Sequence, residues 1–395
     1  VSRIFVTGIG VISAIGGTVH ENRDALKAGK CGMGKLEMLP TQFADKMPFG
    51  EVKLSTENLK QKLKAYENGL TRTTLLALHA FDEAISDSSL SAWQLGSNDT
   101  ALVGASTVGG MCLTDEMYKD ANLKSGGSEY LSSYDFASVN LYLQQRYKIN
   151  GIVNTINTAC SSSANAIMYG ARLIRHGLAK RVIAGGADSL AKFTINGFNS
   201  LNILSPEICR PFDEDRKGLN LGEGAAFLVL EREEDCQHKK IYAELTGYCN
   251  SNDAFHPSSL SVQGDGPYLA MNGALSSAKL QAQDIGFINA HGTGTENNDA
   301  VESMAMLRLF NTVPDFGSTK SNIGHTLGAA GAIEAAYSIL NLQYQEIYPG
   351  LNFNKPISGS GLSPVQSYAR KELRHVLSNS FGFGGNCSSL IFSKA

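Results

Sequence analysis

Three residues of kinds that do chemistry stand where the chain should change conformation. Cys160 follows an apolar run and opens SSSANAIMYGARLI, a stretch of small residues with no charge until Arg172. A thiol at the start of a helix lies among unpaired backbone N–H groups, which favour the thiolate. His291 begins HGTGTENNDAVE, just beyond a short apolar strand ending at Asn289, and Asp299 and Glu302 follow on a helix. His325 lies in STKSNIGHTLGAAGAIEAA, between Lys320 and Glu334. A fourth stretch, LSNSFGFGGNCSSLIF, places a glycine turn around Phe383 inside strand-like sequence. Exposed amides at such a turn bind oxyanions.

Each feature also has a plain structural reading. Cysteine is a small hydrophobe that is often buried. His291 suits a turn flanked by capping threonines and aspartate. Lys320 and Glu334 suit a buried ion pair, since isolated buried charge is expensive. The glycine turn suits an ordinary hairpin. Together, one thiol, two imidazoles and a loop of free amides make an inventory for acyl-thioester chemistry. The thiolate would hold the acyl group, the imidazoles a carbonyl oxygen, and the amides a tetrahedral oxyanion.

The elements that must position these groups read as alternating strands and helices. Short β-rich runs fall at 3–7, 101–105, 152–156, 181–185, 225–231, 241–247, 286–290 and 387–393, and helical patterns at 20–28, 71–86, 160–176, 266–280, 299–309 and 325–343. Such alternation predicts mostly parallel sheets covered on both faces. With 395 residues, 43% apolar and 18% charged, the chain can bury a sizeable core. A net charge of −3 with mixed signs gives nucleic acid no electrostatic footprint. No apolar run is long enough to cross a bilayer, and VSRIFVTGIG reads as a first strand rather than a signal peptide, so a cytosolic location is expected. The seven cysteines are scattered, without CxxC or zinc spacing, which predicts reduced thiols and no metal site.

Two familiar patterns fail on inspection. Gly8-Ile9-Gly10 follows a strand, but Ser13 replaces the third glycine and no acidic residue closes a second strand, which argues against a dinucleotide site. GKCGMGK at 29–35 has P-loop spacing, but Leu36 stands where a metal-binding hydroxyl is needed. An internal repeat pairs RIFVTGIGVIS with KIYAELTGYCNS and sets Cys160 opposite His325. The repeat predicts two halves, 1–239 carrying the cysteine and 240–395 carrying both histidines, with two small-residue helices packed back to back.

TACSSS, HGTGT…ND, KSNIGHTLGAAG and NSFGFGG, in this order, resemble the β-ketoacyl-ACP synthases of the thiolase superfamily. VTGIGVISAIG and RPFDEDRKGLNLGEGAAFLVLE are similar to the family's pattern as well, so the resemblance spans the chain. It implies an α/β, thiolase-like five-layer αβαβα fold built from two duplicated βαβαβαββ halves. It implies decarboxylating Claisen condensation of acyl-ACP with malonyl-ACP, with acyl carrier protein as partner, a tight dimer and no cofactor. Under it, Cys160 is the nucleophile, His291 and His325 hold the malonyl thioester carbonyl, and Lys320 and Glu334 form a charged pair beside the second histidine. The amides of Cys160 and Phe383 form the oxyanion hole within the turn Gly382–Gly384. Thr293 and Thr295 line the pantetheine tunnel, Asp299 lies behind the site, Phe383 gates acyl entry and Val108 lines the acyl pocket.

The chain departs from that pattern in places. ILSPEICRPFD at 203–213 is shorter than in ketosynthase II-type enzymes and, with NTACSSS, leans towards polyketide-type ketosynthases. The basic pair that usually contacts acidic carrier protein is missing from 109–131; Lys60, Lys62 and Lys64 are the substitutes, or simply a solvated helix face. A specialised polyene or polyketide pathway, with a heterodimeric chain-length-factor partner, therefore stands beside fatty-acid elongation. A degradative thiolase would need a second catalytic cysteine, for which Cys387 is misplaced. A non-catalytic ketosynthase partner would have lost Cys160, and a structural acyl-binding protein would have no use for two histidines, Lys320 and Cys160 together.

Overall fold

The computed structural model describes residues 2–395. Ten strands form one continuous sheet: β1 (Ile4–Ile12), β2 (Thr100–Ala105), β3 (Val153–Ile156), β4 (Arg181–Asp188), β5 (Gly224–Arg232), β6 (Ala243–Asn252), β7 (Phe287–Asn289), β8 (Asp315–Gly317), β11 (His375–Gly382) and β12 (Asn386–Ser393). A separate ribbon pairs β9 (Glu346–Ile347) with β10 (Ala369–Arg370). The order is β3-β2-β4-β5-β1-β6-β12-β11-β7-β8. Counted within its own half, each set of five has the same order, third-second-fourth-fifth-first. The halves join where β1 meets β6, at Phe5–Glu244 and Val6–Ala243.

The sheet is mixed rather than mostly parallel. Parallel pairing holds β3, β2 and β4, and β8, β7 and β11. The strands between them are antiparallel, β4–β5–β1 in one half and β6–β12–β11 in the other. The final strand of each half returns antiparallel beside its predecessor, through the 189–223 connection in the first half and the tight turn Phe383–Gly385 in the second, and alternation of predicted elements overlooks such a return.

Helices Ser162–Arg175 and Ala330–Tyr344 lie between the two halves and touch strands of both. Every residue from Ala330 to Leu342 is buried, as a helix enclosed on all sides requires. The hydroxyl of Ser163 accepts the amide of Ala332 at 2.8 Å and ties these two helices together. Arg72–Ser88 packs outside the first half, against β1 and β5, and Asp265–Ala278 outside the second, against β6 and β12. Helix, sheet, helix, sheet, helix: these are the five layers of a thiolase-type fold. No helix among the described residues is long and apolar enough to cross a membrane.

Candidate active site

The turn that carries Cys160 follows β3. Ala159 takes a left-handed conformation (φ 53°), Cys160 comes next, and the helix proper begins at Ser162. A non-glycine residue in that region is strained by ~1–3 kcal/mol, a feature that gathers at functional turns. Gly382, the last residue of β11, packs on this turn. A Cβ there would lie 2.7 Å from the Thr158 carbonyl oxygen and 3.2 Å from the Cys160 nitrogen, so only glycine lets the two backbones approach. Phe383–Gly385 is the hairpin turn between β11 and β12, so the hairpin reading and the functional reading describe one object. The amides of Phe383 and of Cys160 itself both favour the Cys160 thiolate.

Burial nonetheless dominates that thiol. Loss of solvation pushes it up to about 11, against the pull of Lys320 and the two amides. The helix terminus does not leave a standing thiolate; the sulfur is a protonated thiol at neutral pH.

His291 follows β7, and two carboxylates hold its loop. Glu302 accepts the amides of His291 and Gly292, each at 2.9 Å. Asp299 accepts those of Thr293 at 2.9 Å, Gly294 at 3.0 Å and Phe212 at 2.7 Å. Both are buried; desolvation raises Asp299, and Glu302 to about 7. Asp299 thus acts on the backbone of the loop and does not line the cavity.

His325 follows Gly324, whose φ of 75° and approach to the Leu221 carbonyl (2.8 Å from an added Cβ) exclude a side chain. The His325 amide donates to Asn220 O at 2.7 Å. Its Nδ1 accepts the Leu327 amide at 3.3 Å, so the ring proton sits on Nε2, which has no partner within the protein. Lys320 does the same for His291: its ammonium lies 3.3 Å from Nδ1, 2.6 Å from the His291 carbonyl oxygen, and pairs with Glu334. Burial first, then Lys320, holds both imidazoles well below the usual histidine range. Both rings are therefore neutral, with the proton on Nε2. Their rings meet edge to face at 5.4 Å between centroids. Burial also raises Glu334, to about 7, with Lys320 opposing.

Cys160, His291, His325, Thr293, Thr295 and Phe383 all line one cavity of about 400 Å³. The two threonine hydroxyls are 2.9 Å apart on its wall. A second cavity of about 370 Å³, largely apolar, also reaches Cys160 and is walled by Thr107, Met111, Phe193 and Leu327. Phe198 and Phe383 line both, and their rings stack at 5.8 Å and 17°. Val108 is buried but faces neither cavity; its neighbours Thr107 and Met111 do. Gly384 lies exposed at the tip of the turn and donates to Pro257 O at 2.7 Å. Cys387 is sealed in an apolar cluster with Phe381 and Leu260. Lys60 pairs with Glu57, Lys62 and Lys64 are exposed, and none of the three lines a cavity.

Sequence reasoning missed Phe198 and Asp188. Phe198 sits on helix Lys192–Ser200, whose NGFNS has little helix propensity. Asp188 ends β4 in AGGAD and passes for a turn residue. It is fully buried and accepts from Ser106 Oγ, the Thr107 and Val108 amides and the Gly328 amide, tying the Thr107 wall to the turn after His325.

Comparison with known proteins agrees with this geometry. A family model described as "Beta-ketoacyl synthase, N-terminal domain" matches residues 1–236, and one described as "Beta-ketoacyl synthase, C-terminal domain" matches 242–354. The chain is 36% identical to a Rhizobium meliloti protein named 3-oxoacyl-[acyl-carrier-protein] synthase 2, with 99% of each covered. Its structure is similar to the ishigamide ketosynthase/chain length factor, with TM-score 0.92, 29% identity, and 100% and 99% of the two chains covered. It is also similar to the ketosynthase ApeO in complex with its chain length factor ApeC from Xenorhabdus doucetiae, with TM-score 0.88, 31% identity, and 100% and 98% covered. A buried thiol, two neutral imidazoles and a glycine turn brought together from both halves, with these matches end to end, place the chain in the β-ketoacyl synthase family.

Proposed function

We propose that the protein is a 3-oxoacyl-[acyl-carrier-protein] synthase that condenses an acyl chain held on Cys160 with malonyl-ACP. The observation that carries this reading is the shared cavity of Cys160, His291 and His325, with the Phe383 amide directed at the sulfur. In the first half-reaction the Cys160 sulfur attacks the acyl-ACP thioester, its proton passes to the departing pantetheine thiolate, and the acyl group remains on sulfur. Malonyl-ACP then enters past Thr293 and Thr295. The Nε2–H groups of His291 and His325 bind its thioester carbonyl oxygen. Loss of CO₂ leaves the electron pair as an enolate on that oxygen, where two preorganised neutral donors are each worth ~3–4 kcal/mol. The enolate carbon attacks the acyl-Cys160 carbonyl. The amides of Cys160 and Phe383 stabilise the tetrahedral oxyanion, which collapses to 3-oxoacyl-ACP and the Cys160 thiolate, which takes up a proton.

The apolar cavity is the site for the acyl chain, and Phe383 stacked on Phe198 is the gate. The same reading makes acyl carrier protein the partner, a dimer the working unit and the cytosol the location. Fatty-acid elongation is the leading pathway, after the relatives named 3-oxoacyl-[acyl-carrier-protein] synthase 2. A second reading, a ketosynthase of a polyene or polyketide pathway with a chain-length-factor partner, is favoured by similarity to two such complexes and by the short 203–213 loop.

The test is to incubate the protein with malonyl-ACP and acyl-ACPs of graded length and unsaturation and resolve the products by mass. The wild type gives an acyl adduct on Cys160 and a product longer by two carbons, and Cys160→Ala gives neither. Condensation at the normal rate by Cys160→Ala would end this reading. Repeated extension on one carrier, only when a second chain is added, would favour the second reading.

A further inference from the structure

Two backbone amides converge on the proposed oxyanion site, from Cys160 and Phe383. They lie on segments more than two hundred residues apart, so noncovalent contacts alone set their spacing. Gly382 fixes how near the segments come, since its Cα already rests on the backbone of 158–161. Steric contact stops two segments from approaching but does not stop them separating. Something must hold them together.

Asn386 stands opposite Gly382 in the β11–β12 register, at the foot of the turn that carries Phe383. Its side-chain oxygen lies 2.7 Å from Ser161 Oγ, 2.8 Å from Asn165 Nδ2 and 2.7 Å from Asn250 Nδ2. Ser161 directly follows the nucleophile, Asn165 is in the first turn of the helix behind it, and Asn250 is on β6. Asn165 Nδ2 also reaches Thr158 Oγ1 at 2.8 Å, and its oxygen accepts from Ser388 Oγ at 2.9 Å. One amide oxygen thus gathers the Asn165 and Asn250 amides and shares the Ser161 hydroxyl proton with the Thr158 carbonyl oxygen, also at 2.7 Å, so it meets groups from the Cys160 turn, its helix and the neighbouring strand. A neutral acceptor does this without placing a negative charge beside a developing oxyanion.

We infer that Asn386 is a positioning residue for the condensation: it binds the glycine turn to the nucleophile turn, so that the Cys160 and Phe383 amides meet one oxygen. This rests on the reading of those amides as the oxyanion donors. The imidazoles are held separately, by Lys320 and the Leu327 amide, and do not depend on Asn386.

The test compares two partial reactions in full-length enzyme. Asn386→Ala should lower kcat for acyl transfer from acyl-ACP to Cys160 by about 10²-fold, as displacement of an oxyanion donor does, with KM for acyl-ACP within about twofold. Malonyl-ACP decarboxylation, measured with and without Asn386→Ala in a Cys160→Gln background, should change by less than about threefold. Ser161→Ala removes one of the three partners of the Asn386 oxygen and should lower the same kcat by less; it carries the test if Asn386→Ala does not fold. The double variant should fall no further than the worse single one. Acyl transfer at the wild-type rate in the single variants, additive losses, or a parallel fall in decarboxylation would overturn the assignment. A wild-type enzyme that forms no acyl adduct at all would instead overturn the functional reading.

Discussion

Replacing Lys320 with methionine isolates the charge that organises the second half of the site. In the wild type, burial raises Glu334 from an ordinary value of 4.5 to about 7 while Lys320 pulls the other way. A carboxyl whose folded pKa exceeds its unfolded one binds its proton more tightly when folded. Stability therefore falls as pH rises from the unfolded value and levels off above the folded one, here near pH 7. Without the ammonium, Glu334 titrates higher still. Stability then keeps falling above pH 7, by up to about 1.4 kcal/mol per pH unit for one proton. Between about pH 7 and pH 9 the deficit of Lys320→Met relative to wild type should grow, by at most about 3 kcal/mol. Lys320→Met/Glu334→Gln should lose that slope, because the double variant has no carboxyl to titrate. Urea unfolding of the three proteins at three pH values across that window reads this directly. Parallel pH dependences for wild type and Lys320→Met would refute the claim that Lys320 opposes the burial of Glu334. The same variant frees His291 Nδ1 and should slow malonyl-ACP decarboxylation about tenfold or more.

Further outcomes follow from the geometry. His291→Ala and His325→Ala should each lower malonyl-ACP decarboxylation by about 10²–10³-fold while self-acylation of Cys160 persists; unchanged decarboxylation in either would remove that ring from the enolate site. Because burial holds the Cys160 thiol at about 11, its alkylation by iodoacetamide should quicken nearly tenfold per pH unit from pH 7 to pH 10. A plateau near neutrality, read by peptide mass mapping, would show a standing thiolate instead. Gly382→Ala drives a methyl against the Thr158 carbonyl and the Cys160 amide and should cost about 1–3 kcal/mol in thermal or urea stability together with acyl transfer; an unaltered enzyme would mean that the two turns are less closely packed.

Much of this arrangement is legible before any coordinates. Cys160 and His291 betray themselves by standing just past strand ends, His325 by its place between Gly324 and a run of small residues, and the two buried helices by small residues with almost no charge. Other parts leave no such trace. Helix Thr114–Leu123 buries none of its residues, so no apolar stripe marks it. Strand β8 has three residues, too few for alternation to register. Phe198 hides in a segment of poor helix formers, and the worth of Asp188 and Asn386 lies in donors far away along the chain. The Cys160 thiol lies above its ordinary range rather than below it for a physical reason: the pull of local amides is visible in sequence order, whereas desolvation depends on everything packed around the sulfur.

The sandwiching of the two inner helices between the halves bears on biosynthesis. While the first 236 residues emerge from the ribosome, the helix behind Cys160 lacks the surface that will cover it, and the cysteine lacks both imidazoles. A half-made polypeptide therefore holds Cys160 without the imidazoles and without the Phe383 amide that share its cavity. The whole site exists only once the trailing half has docked, so a chain cut short after the first half would lack the groups assigned to malonyl-ACP.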